Sequence, residues 1–168
     1  QEDINVLYLG ENTSDLKKCL KYYLEKNKLK KQINECNNEE LNQKLENPTS
    51  SKNITSFKNL ASDMNINLIV CSVNSESESV IRIQKFEFSK SLVILSGLKK
   101  GGSCMVKHSF PYNFNVKNSE KGNGFFVNLI FLYYLHFKKI YLYKPITSDI
   151  HSTDFYLIGE NFSGVKEE

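Results

Sequence analysis

Cysteine is scarce in this sequence, and its cysteines are not paired. There are four, none in a C-x-x-C arrangement, so neither a disulfide framework nor a zinc site is indicated. Cys71 and Cys104 stand inside apolar runs, where a free thiol acts as a small core residue. His136 and His151 have no ligand spacing with a cysteine or a carboxylate. These absences favour an intracellular protein without a metal site.

The sequence also lacks a strong excess of charge. The formal net charge is +3, a mild basic balance that permits contact with nucleic acid without requiring it. Solvated lysines on an ordinary surface would give the same value. The hydrophobic content of 40% and the aromatic content of 12% are those of a folded domain and argue against a disordered chain.

No apolar run is long enough to cross a bilayer. The most apolar stretch, residues 125–137, is too short and carries Asn128 and His136, so it predicts a buried helix. The chain opens Gln-Glu-Asp, without an apolar segment behind a basic end, and gives no sign of a signal peptide. We therefore expect a nuclear or cytoplasmic protein with no membrane contact.

Apolar spacing divides the chain into alternating strands and helices. Short runs rich in branched residues predict strands, and apolar residues at three- and four-residue spacing predict helices. Strands are predicted at residues 4–9, 66–73, 104–106, 139–143 and 155–158, and helices after residue 14 or 15 and at residues 56–64, 80–98 and 125–137. Residues 27–53 are rich in Asn, Lys, Glu and Gln and predict a solvated insertion, partly helical and partly mobile.

The order of these elements predicts the fold class. The segment KPITSDIHST, between the last two strands, is too short for a crossover helix, so those strands should be antiparallel neighbours. Strand and helix alternate before that point. The sequence therefore predicts one α/β domain over residues 1–168, with a mostly parallel sheet that ends in an antiparallel hairpin.

Three stretches carry a resemblance to a known family. They are INLIVCS at residues 66–72, LKKGGSCMVKH at residues 98–108 and KPITSDIHSTDFYLIG at residues 144–159. In this order they resemble the cap-specific branch of the FtsJ-like ribose 2′-O-methyltransferases, whose hairpin reads K-P-x-x-S-R-x-x-S-x-E-x-Y-x-V. The resemblance implies a Rossmann-like methyltransferase sheet and transfer of a methyl group from S-adenosylmethionine to an RNA ribose, most specifically in the mRNA cap.

The resemblance also implies catalytic residues. Family members use a Lys-Asp-Lys-Glu set, in which the central lysine handles the proton of the hydroxyl group and the acidic residues orient the lysines. By position, Lys107 matches the central lysine and Asp154 matches the glutamate. Taken without the resemblance, Lys107 would be interpreted as a solvated lysine at the end of a strand. The hypothesis requires both side chains to enter one cleft from neighbouring strands.

Two positions depart from the family pattern, and one member of the set has no counterpart. Ser72 stands where the family has an aspartate near the cofactor, which removes a charge. Asp149 stands where the hairpin has arginine, which reverses the sign. The first lysine has no counterpart, and we expect its segment to lie upstream of this chain, which would make the domain partial.

The donor loop of such an enzyme should be glycine-rich, and here the only candidate, LYLGENTSD, has the single glycine Gly10. Two interpretations are open. Either Ile4–Leu9 is the second strand and the donor loop lies upstream, or it is the first strand and its loop is degenerate. The long separation from Ser72 favours the former, with a missing segment or a partner chain completing the sheet. Under either, we expect these residues alone to bind S-adenosylmethionine poorly.

Five residues are candidates for RNA contact. Tyr112 and Phe114 lie in an aromatic and basic loop that follows a strand, where aromatic rings could stack on bases or pack beneath the sheet. His108 could contact a ligand or be a hydrogen-bonded structural histidine. Lys144 and Ser148 belong to the hairpin motif.

Three functions follow as hypotheses from the sequence. The first is a cap ribose 2′-O-methyltransferase domain, favoured by Lys107, Asp154 and the hairpin. The second is a methyltransferase-like module without catalysis that binds RNA or protein, favoured by Ser72 and Asp149. A ribosomal-RNA 2′-O-methyltransferase is the weaker third.

Overall fold

The computed structural model describes residues 3–10, 14–26, 33–35, 51–73, 79–109, 123–146, 148, 152 and 154–165. Its strands are β1 (Ile4–Leu9), β2 (Ile33–Glu35), β3 (Leu68–Cys71), β4 (Ser103–Ser109), β5 (Phe137–Tyr143) and β6 (Asp154–Phe162). Its helices are α1 (Ser14–Lys26), α2 (Ser51–Met64), α3 (Val80–Gly97) and α4 (Asn123–His136).

The strands form one six-stranded mixed sheet in the order β2-β1-β3-β4-β6-β5. β1 pairs in parallel with β2 and β3, and β3 pairs in parallel with β4. β6 is antiparallel to both β4 and β5. The predicted fold class, a mostly parallel α/β sheet with an antiparallel hairpin at its end, is confirmed.

The position of β1 overturns the interpretation favoured from the sequence. In a doubly wound sheet of order 3-2-1-4-5-6, the first strand lies beside the fourth, and the second does not. β1 pairs directly with β3, the strand that carries INLIVCS, so it occupies the place of the first strand. Ile4–Leu9 as a second strand is therefore wrong, and the segment after Gly10 is the degenerate candidate for the donor loop.

The polar insertion contains regular structure that its composition did not predict. β2 lies within it and pairs in parallel with β1, and α2 begins at Ser51. Glu35 of β2 forms ion pairs with Lys17 at 2.9 Å and Lys21 at 3.4 Å, both on α1. A three-residue edge strand of this composition is stabilised by pairing and by these contacts, which periodicity within the segment cannot show.

Side chains alternate between the two faces of the sheet and fill two cores of unequal size. The larger core lies between the sheet and α2, α3 and α4, and it includes Leu7, Phe57, Ile94 and Leu157, each 0% exposed. The smaller core, on the face that carries α1, contains Val6, Tyr8 and Val70, with Leu20 packed against it. Successive strand residues point to opposite faces, so odd and even positions meet different surroundings.

The two cysteines predicted to lie in the core are buried free thiols. Burial raises the pKa of the Cys104 thiol to about 12, and burial also raises the pKa of Cys71. Both groups are therefore protonated and act as apolar packing. Within the described ranges, no helix combines the length and the apolar character that a bilayer crossing needs.

Candidate active site

The side chains singled out from the sequence gather at one edge of the sheet. β1, β3 and β4 run in parallel and end at Leu9, Cys71 and Ser109, and β6, running the other way, begins there at Asp154. We call this the carboxyl edge. In open α/β sheets, ligands bind outside the carboxyl ends of the strands, where the strand order reverses direction. That reversal lies between β1 and β3.

Lys107 and Asp154 meet at this edge. Lys107 pairs directly with Tyr156, and Asp154 lies two residues away on the same strand and the same face. Lys107 Nζ is 2.7 Å from Asp154 Oδ2. The two side chains are 22% and 29% exposed, so the pair is open to a ligand. The sequence hypothesis required this meeting, and the structure has it.

Hydrogen bonds fix the carboxylate of Asp154. The Ser109 hydroxyl donates to its Oδ1, and the Asp154 backbone N–H donates to Ser152 Oγ at 3.1 Å. Partial burial raises the pKa of Asp154, but the hydrogen bonds from Lys107 and Ser109 outweigh that effect, and its pKa lies below the usual value. Asp154 is therefore ionised at neutral pH and orients the Lys107 amine.

Two tyrosines continue the row that contains Lys107. Tyr156 lies opposite Lys107, and Tyr143 lies opposite Tyr156 on the next strand. Residues directly opposite across a sheet share a face, so Lys107, Tyr156 and Tyr143 form one line. Tyr143 is 50% exposed. An aromatic surface therefore borders the amine, within reach of a base or a sugar ring.

His108 does not contribute to this surface, and its assignment as an RNA contact is wrong. Its side chain is 0% exposed and lies against Tyr133 and Phe155, with ring centroids 5.8 Å and 5.7 Å away. The cause is strand alternation: Lys107 points to the open face, so its neighbour points beneath α3 and α4. It is a hydrogen-bonded structural histidine.

His108 belongs to a buried charged cluster with Glu87 and Lys90, both 0% exposed on α3. Lys90 Nζ is 2.8 Å from Glu87 Oε2, and the same oxygen contacts His108 Nδ1. Burial, and then the charge of Lys90, lower the pKa of His108, so the ring is neutral. Burial raises the pKa of Glu87, but Lys90 and His108 outweigh it and the pKa is lowered. The cluster is therefore an ion pair with a neutral imidazole donor.

Lys90 also reaches the backbone beneath the candidate site. Its Nζ donates to the carbonyl of Val73 at 3.0 Å and to the carbonyl of Lys107 at 2.7 Å. One oxygen of the cluster, Glu87 Oε1, and one nitrogen, His108 Nε2, are buried with no hydrogen-bond partner among the described residues. The remaining donors and acceptors are used within the protein.

Gly10 and Ser72 lie together at the point where the strand order reverses. The Ser72 N–H donates to the Leu9 carbonyl at 2.9 Å, and its hydroxyl donates to the same carbonyl at 3.4 Å. A Cβ on Gly10 would lie 2.9 Å from Ser72 Oγ and from the Val73 nitrogen, and φ there is +96°. Glycine is thus required by packing and conformation. Gly10 and Ser72 lie where open α/β sheets bind ligands, but Ser72 supplies no carboxylate to face the sulfonium of S-adenosylmethionine.

The remaining candidates lie in or near the hairpin connection, or outside the described residues. Lys144 follows β5 and is exposed, with its amine donating to the Ser152 carbonyl. The Ser148 hydroxyl donates to the Pro145 carbonyl at 2.6 Å. Both belong to the segment that leads into Asp154. Tyr112, Phe114 and Asp149 lie outside the described residues.

Comparisons with known proteins give fold-level likeness only. No protein-family model matches the chain, and no curated protein is similar to it in sequence. Among solved structures, it is similar to phosphoethanolamine N-methyltransferase 2 from Haemonchus contortus, in complex with phosphomonomethylethanolamine and S-adenosylhomocysteine, at 14% identity and a TM-score of 0.44. It is also similar to the Methanococcus jannaschii fibrillarin pre-rRNA processing protein, at 11% identity and a TM-score of 0.45.

These matches differ in how much of the other protein they cover. The first extends over 96% of this chain and 34% of the Haemonchus protein, so the chain spans about a third of that protein's length. The fibrillarin match covers 98% of this chain and 69% of the other. At these values the likeness carries no argument about activity. Any functional conclusion depends on the site itself.

Sequence reasoning missed two sets of residues at this site. Tyr156 was inside the hairpin motif and Tyr143 directly precedes it, and strand alternation together with the predicted pairing could have placed them beside Lys107. Glu87 and Lys90 are two of the charged residues of α3 and stand three positions apart, which is the spacing of a paired contact on one helix face. Within the described part of the chain, no group of His, Cys, Asp and Glu could hold a metal ion.

Proposed function

We propose that this chain forms a methyltransferase domain that transfers a methyl group from S-adenosylmethionine to a ribose 2′-hydroxyl of RNA, with capped mRNA as the substrate. The observation that carries the proposal is the Lys107–Asp154 pair, 2.7 Å apart and partly open, at the carboxyl edge of the sheet. It joins two residues, selected by their match to a catalytic motif, that stand 47 positions apart in the chain (154 − 107).

The roles of the two side chains follow from their charges and contacts. Asp154 accepts hydrogen bonds from Lys107 and Ser109 and so holds the amine in one direction. The amine can hydrogen-bond the ribose hydroxyl and stabilise its oxygen as the proton passes to solvent, to which the pair is open. S-adenosylmethionine, when bound, would supply the methyl group to the 2′-oxygen and would leave as a neutral thioether. Since methyl transfer is an in-line displacement, positioning of the hydroxyl supplies much of the rate.

The acceptor side of the site suits RNA. The line of Lys107, Tyr156 and Tyr143 offers a cation beside aromatic rings, and aromatic rings stack on unpaired bases. Lys144 and Ser148, on the connection that leads to Asp154, would contact the RNA backbone in this proposal. On the donor side, Gly10 and Ser72 would border S-adenosylmethionine, which supplies the electrophilic methyl group when bound.

Donor binding and methyl transfer test the proposal together. Calorimetry with S-adenosylmethionine and S-adenosylhomocysteine is performed on this chain and on any longer parent protein, followed by mass-spectrometric detection of methylation on capped, uncapped and ribosomal RNA fragments. Because Lys107 contacts the reacting hydroxyl, Lys107→Met should lower the rate about 10²–10⁴-fold. Lys85→Met, an exposed lysine on α3, is the matched control and should leave the rate unchanged.

A second function is favoured by Ser72. The N–H and the hydroxyl of this residue bond to the carbonyl of Leu9, so the position joins β1 to β3 and carries no charge toward a donor. A methyltransferase-like module without catalysis would have this arrangement. Absence of donor binding by both the chain and its parent, with retained association with RNA, would support that module and reject the enzyme.

A further inference from the structure

The carboxyl ends of β3 and β4 separate beneath the candidate site. Their pairing runs from Leu68 with Ser103 to Cys71 with Val106, and β4 continues for three more residues to Ser109. Backbone carbonyls beyond that point have no partner in a β3–β4 ladder. A buried carbonyl needs a donor, since a polar group left unpaired away from water costs about 1–3 kcal/mol.

Lys90 supplies that donor for both strands. Its ammonium group bonds to the carbonyl of Val73, which follows β3, and to the carbonyl of Lys107 in β4. The ammonium group of Lys90 thus bridges strands β3 and β4 at the point where their ladder of hydrogen bonds has ended. The Lys90 side chain is 0% exposed, so it cannot contact a ligand itself.

Glu87 and His108 hold this cation in place. Glu87 Oε2 accepts from Lys90 Nζ at 2.8 Å and also from His108. His108 follows Lys107 in the chain, so the two α3 side chains contact β4 at two adjacent residues. Lys90 binds the carbonyl of Lys107, and Glu87 binds the imidazole of His108. The Glu87 backbone is fixed in turn, since its carbonyl accepts from the Ser91 hydroxyl at 2.8 Å.

We propose that Lys90, held by Glu87, is a positioning residue that fixes the backbone of Lys107 and thereby directs the Lys107 amine to Asp154. The proposal rests on the function proposed above, in that Lys107 is the working amine. The positioning role itself can be tested without methyl transfer, because the direction of the Lys107 amine can be measured in the absence of a substrate.

The carboxyl group of Asp154 reports that direction. Its pKa is lowered by the hydrogen bond from Lys107, so loss of that contact raises the pKa. A carbon-detected NMR titration of the aspartate carboxyls follows it, with Asp154→Asn identifying the signal. Lys107→Met sets the full effect, a rise of the Asp154 pKa caused by loss of the hydrogen bond and the charge of Lys107. Lys90→Met should give a large part of the same rise.

Lys90→Met leaves Glu87 as an unpaired buried charge, which can unfold the protein. The double variant Glu87→Gln/Lys90→Met removes both charges and keeps the side-chain volumes close to the original. It restores stability but still gives the carbonyls of Val73 and Lys107 no ammonium donor. The Asp154 pKa should therefore remain raised in this folded variant.

Tyr133→Phe is the matched control. It removes a buried hydroxyl that donates to Ser91 at 3.1 Å in the same core, without touching Lys90. It should lower stability while leaving the Asp154 pKa unchanged. A triple variant that adds Lys107→Met to the double variant should raise the pKa no further than Lys107→Met alone, because both changes act through one contact.

An unchanged Asp154 pKa in the folded Glu87→Gln/Lys90→Met variant overturns the positioning role, since the amine then keeps its direction without Lys90. This result is independent of methyl transfer. Absence of S-adenosylmethionine binding or of RNA methylation in the wild-type chain and its parent would reject the proposed function. The result of the Asp154 titration would not be affected.

Discussion

Two lysine–carboxylate pairs lie close together in this protein and differ in their access to solvent. Lys90 and Glu87 are 2.8 Å apart with both side chains 0% exposed. Lys107 and Asp154 are 2.7 Å apart, with 22% and 29% of the side chains exposed. The distances are nearly equal, so the distance does not set the role. Burial makes the first pair a fixed part of the core, and exposure leaves the second able to bind a ligand.

The difference also applies to energy. A buried ion pair is held by mutual compensation, and removal of one partner leaves a charge without water or counter-charge. An exposed pair exchanges its partner for water at little cost. We expect variants of the buried cluster to change stability and, through the backbone of Lys107, the direction of its amine, whereas variants of the exposed pair should change chemistry with little effect on stability. The predictions below test that separation, beginning with the largest effect.

Glu87→Gln should produce the largest loss of stability. It leaves the Lys90 ammonium without its counter-charge in the core, which costs about 3–5 kcal/mol of the unfolding free energy. Urea denaturation followed by circular dichroism measures the loss. Lys85→Met on the exposed face of the same helix should change the value by less than about 0.5 kcal/mol. A loss below about 1 kcal/mol for Glu87→Gln would show that the cluster is solvated.

Stability should fall as the pH is lowered from neutral, because His108 and Glu87 both have pKa values below their ordinary ones. A depressed pKa in the folded state means that the unfolded chain binds more protons, so stability is present above the unfolded pKa and decreases below it. The loss of stability should begin below about pH 6.5, the ordinary pKa of histidine, and continue below about pH 4.3, the ordinary pKa of glutamate. Urea midpoints across this range measure it.

The control for the pH series is His108→Asn, which has no imidazole to protonate. Its stability should show a flatter dependence between about pH 6.5 and pH 5 than that of the wild type. An unchanged slope in this variant would assign the effect to other groups and would contradict the neutral state of His108.

Tyr133→Phe should have a smaller effect. The Tyr133 hydroxyl donates to Ser91 at 3.1 Å within the core, and Ser91 also binds the Glu87 carbonyl. Loss of one neutral buried hydrogen bond costs about 1 kcal/mol. Thermal and urea unfolding measure the change. A stability loss as large as that of Glu87→Gln would mean that the Tyr133 hydroxyl supports the whole cluster. The loss caused by Glu87→Gln could then not be attributed to an unpaired buried charge.

Asp154→Asn should change stability least, by less than about 1 kcal/mol, because its partner Lys107 remains in contact with water. If the proposed function holds, the same variant lowers methyl transfer, since the amide no longer orients the amine as a carboxylate does. Unfolding and RNA methylation are measured on the same preparation. A large loss of stability here would remove the distinction between the two pairs.

Much of the sheet was predictable because its signals are local. The apolar runs at β1 and β3 and the short hairpin connection predicted parallel strands and one antiparallel pair, and the pairing of β5 with β6 confirms the latter. The edge strand β2 was not predictable, since its three residues carry no periodicity and depend on β1 and on Lys17 for stability. The favoured prediction for the place of β1 was also wrong, because the order of strands in a sheet depends on contacts between distant segments and cannot be inferred from any one of them.

The candidate site divides in the same way. Lys107, Asp154 and Ser72 were found by their match to positions in the family's motifs, and Gly10 was found as the single glycine of the candidate donor loop. The structure brings Lys107 to Asp154 and Gly10 to Ser72. For His108 the sequence left a ligand contact and a structural role open, because a strand end in the sequence does not reveal which face a helix will cover; its burial decides for the structural role.

The sequence by itself determined the alternation of strands and helices, the reversed final strand and the residue types at the ends of the strands, because these depend on local spacing and short connections. Only the tertiary structure decided which of two adjacent residues became a buried histidine and which an open lysine, and which of two lysines became structural. Those outcomes depend on long-range packing, which removes water from one charge and leaves it around the other.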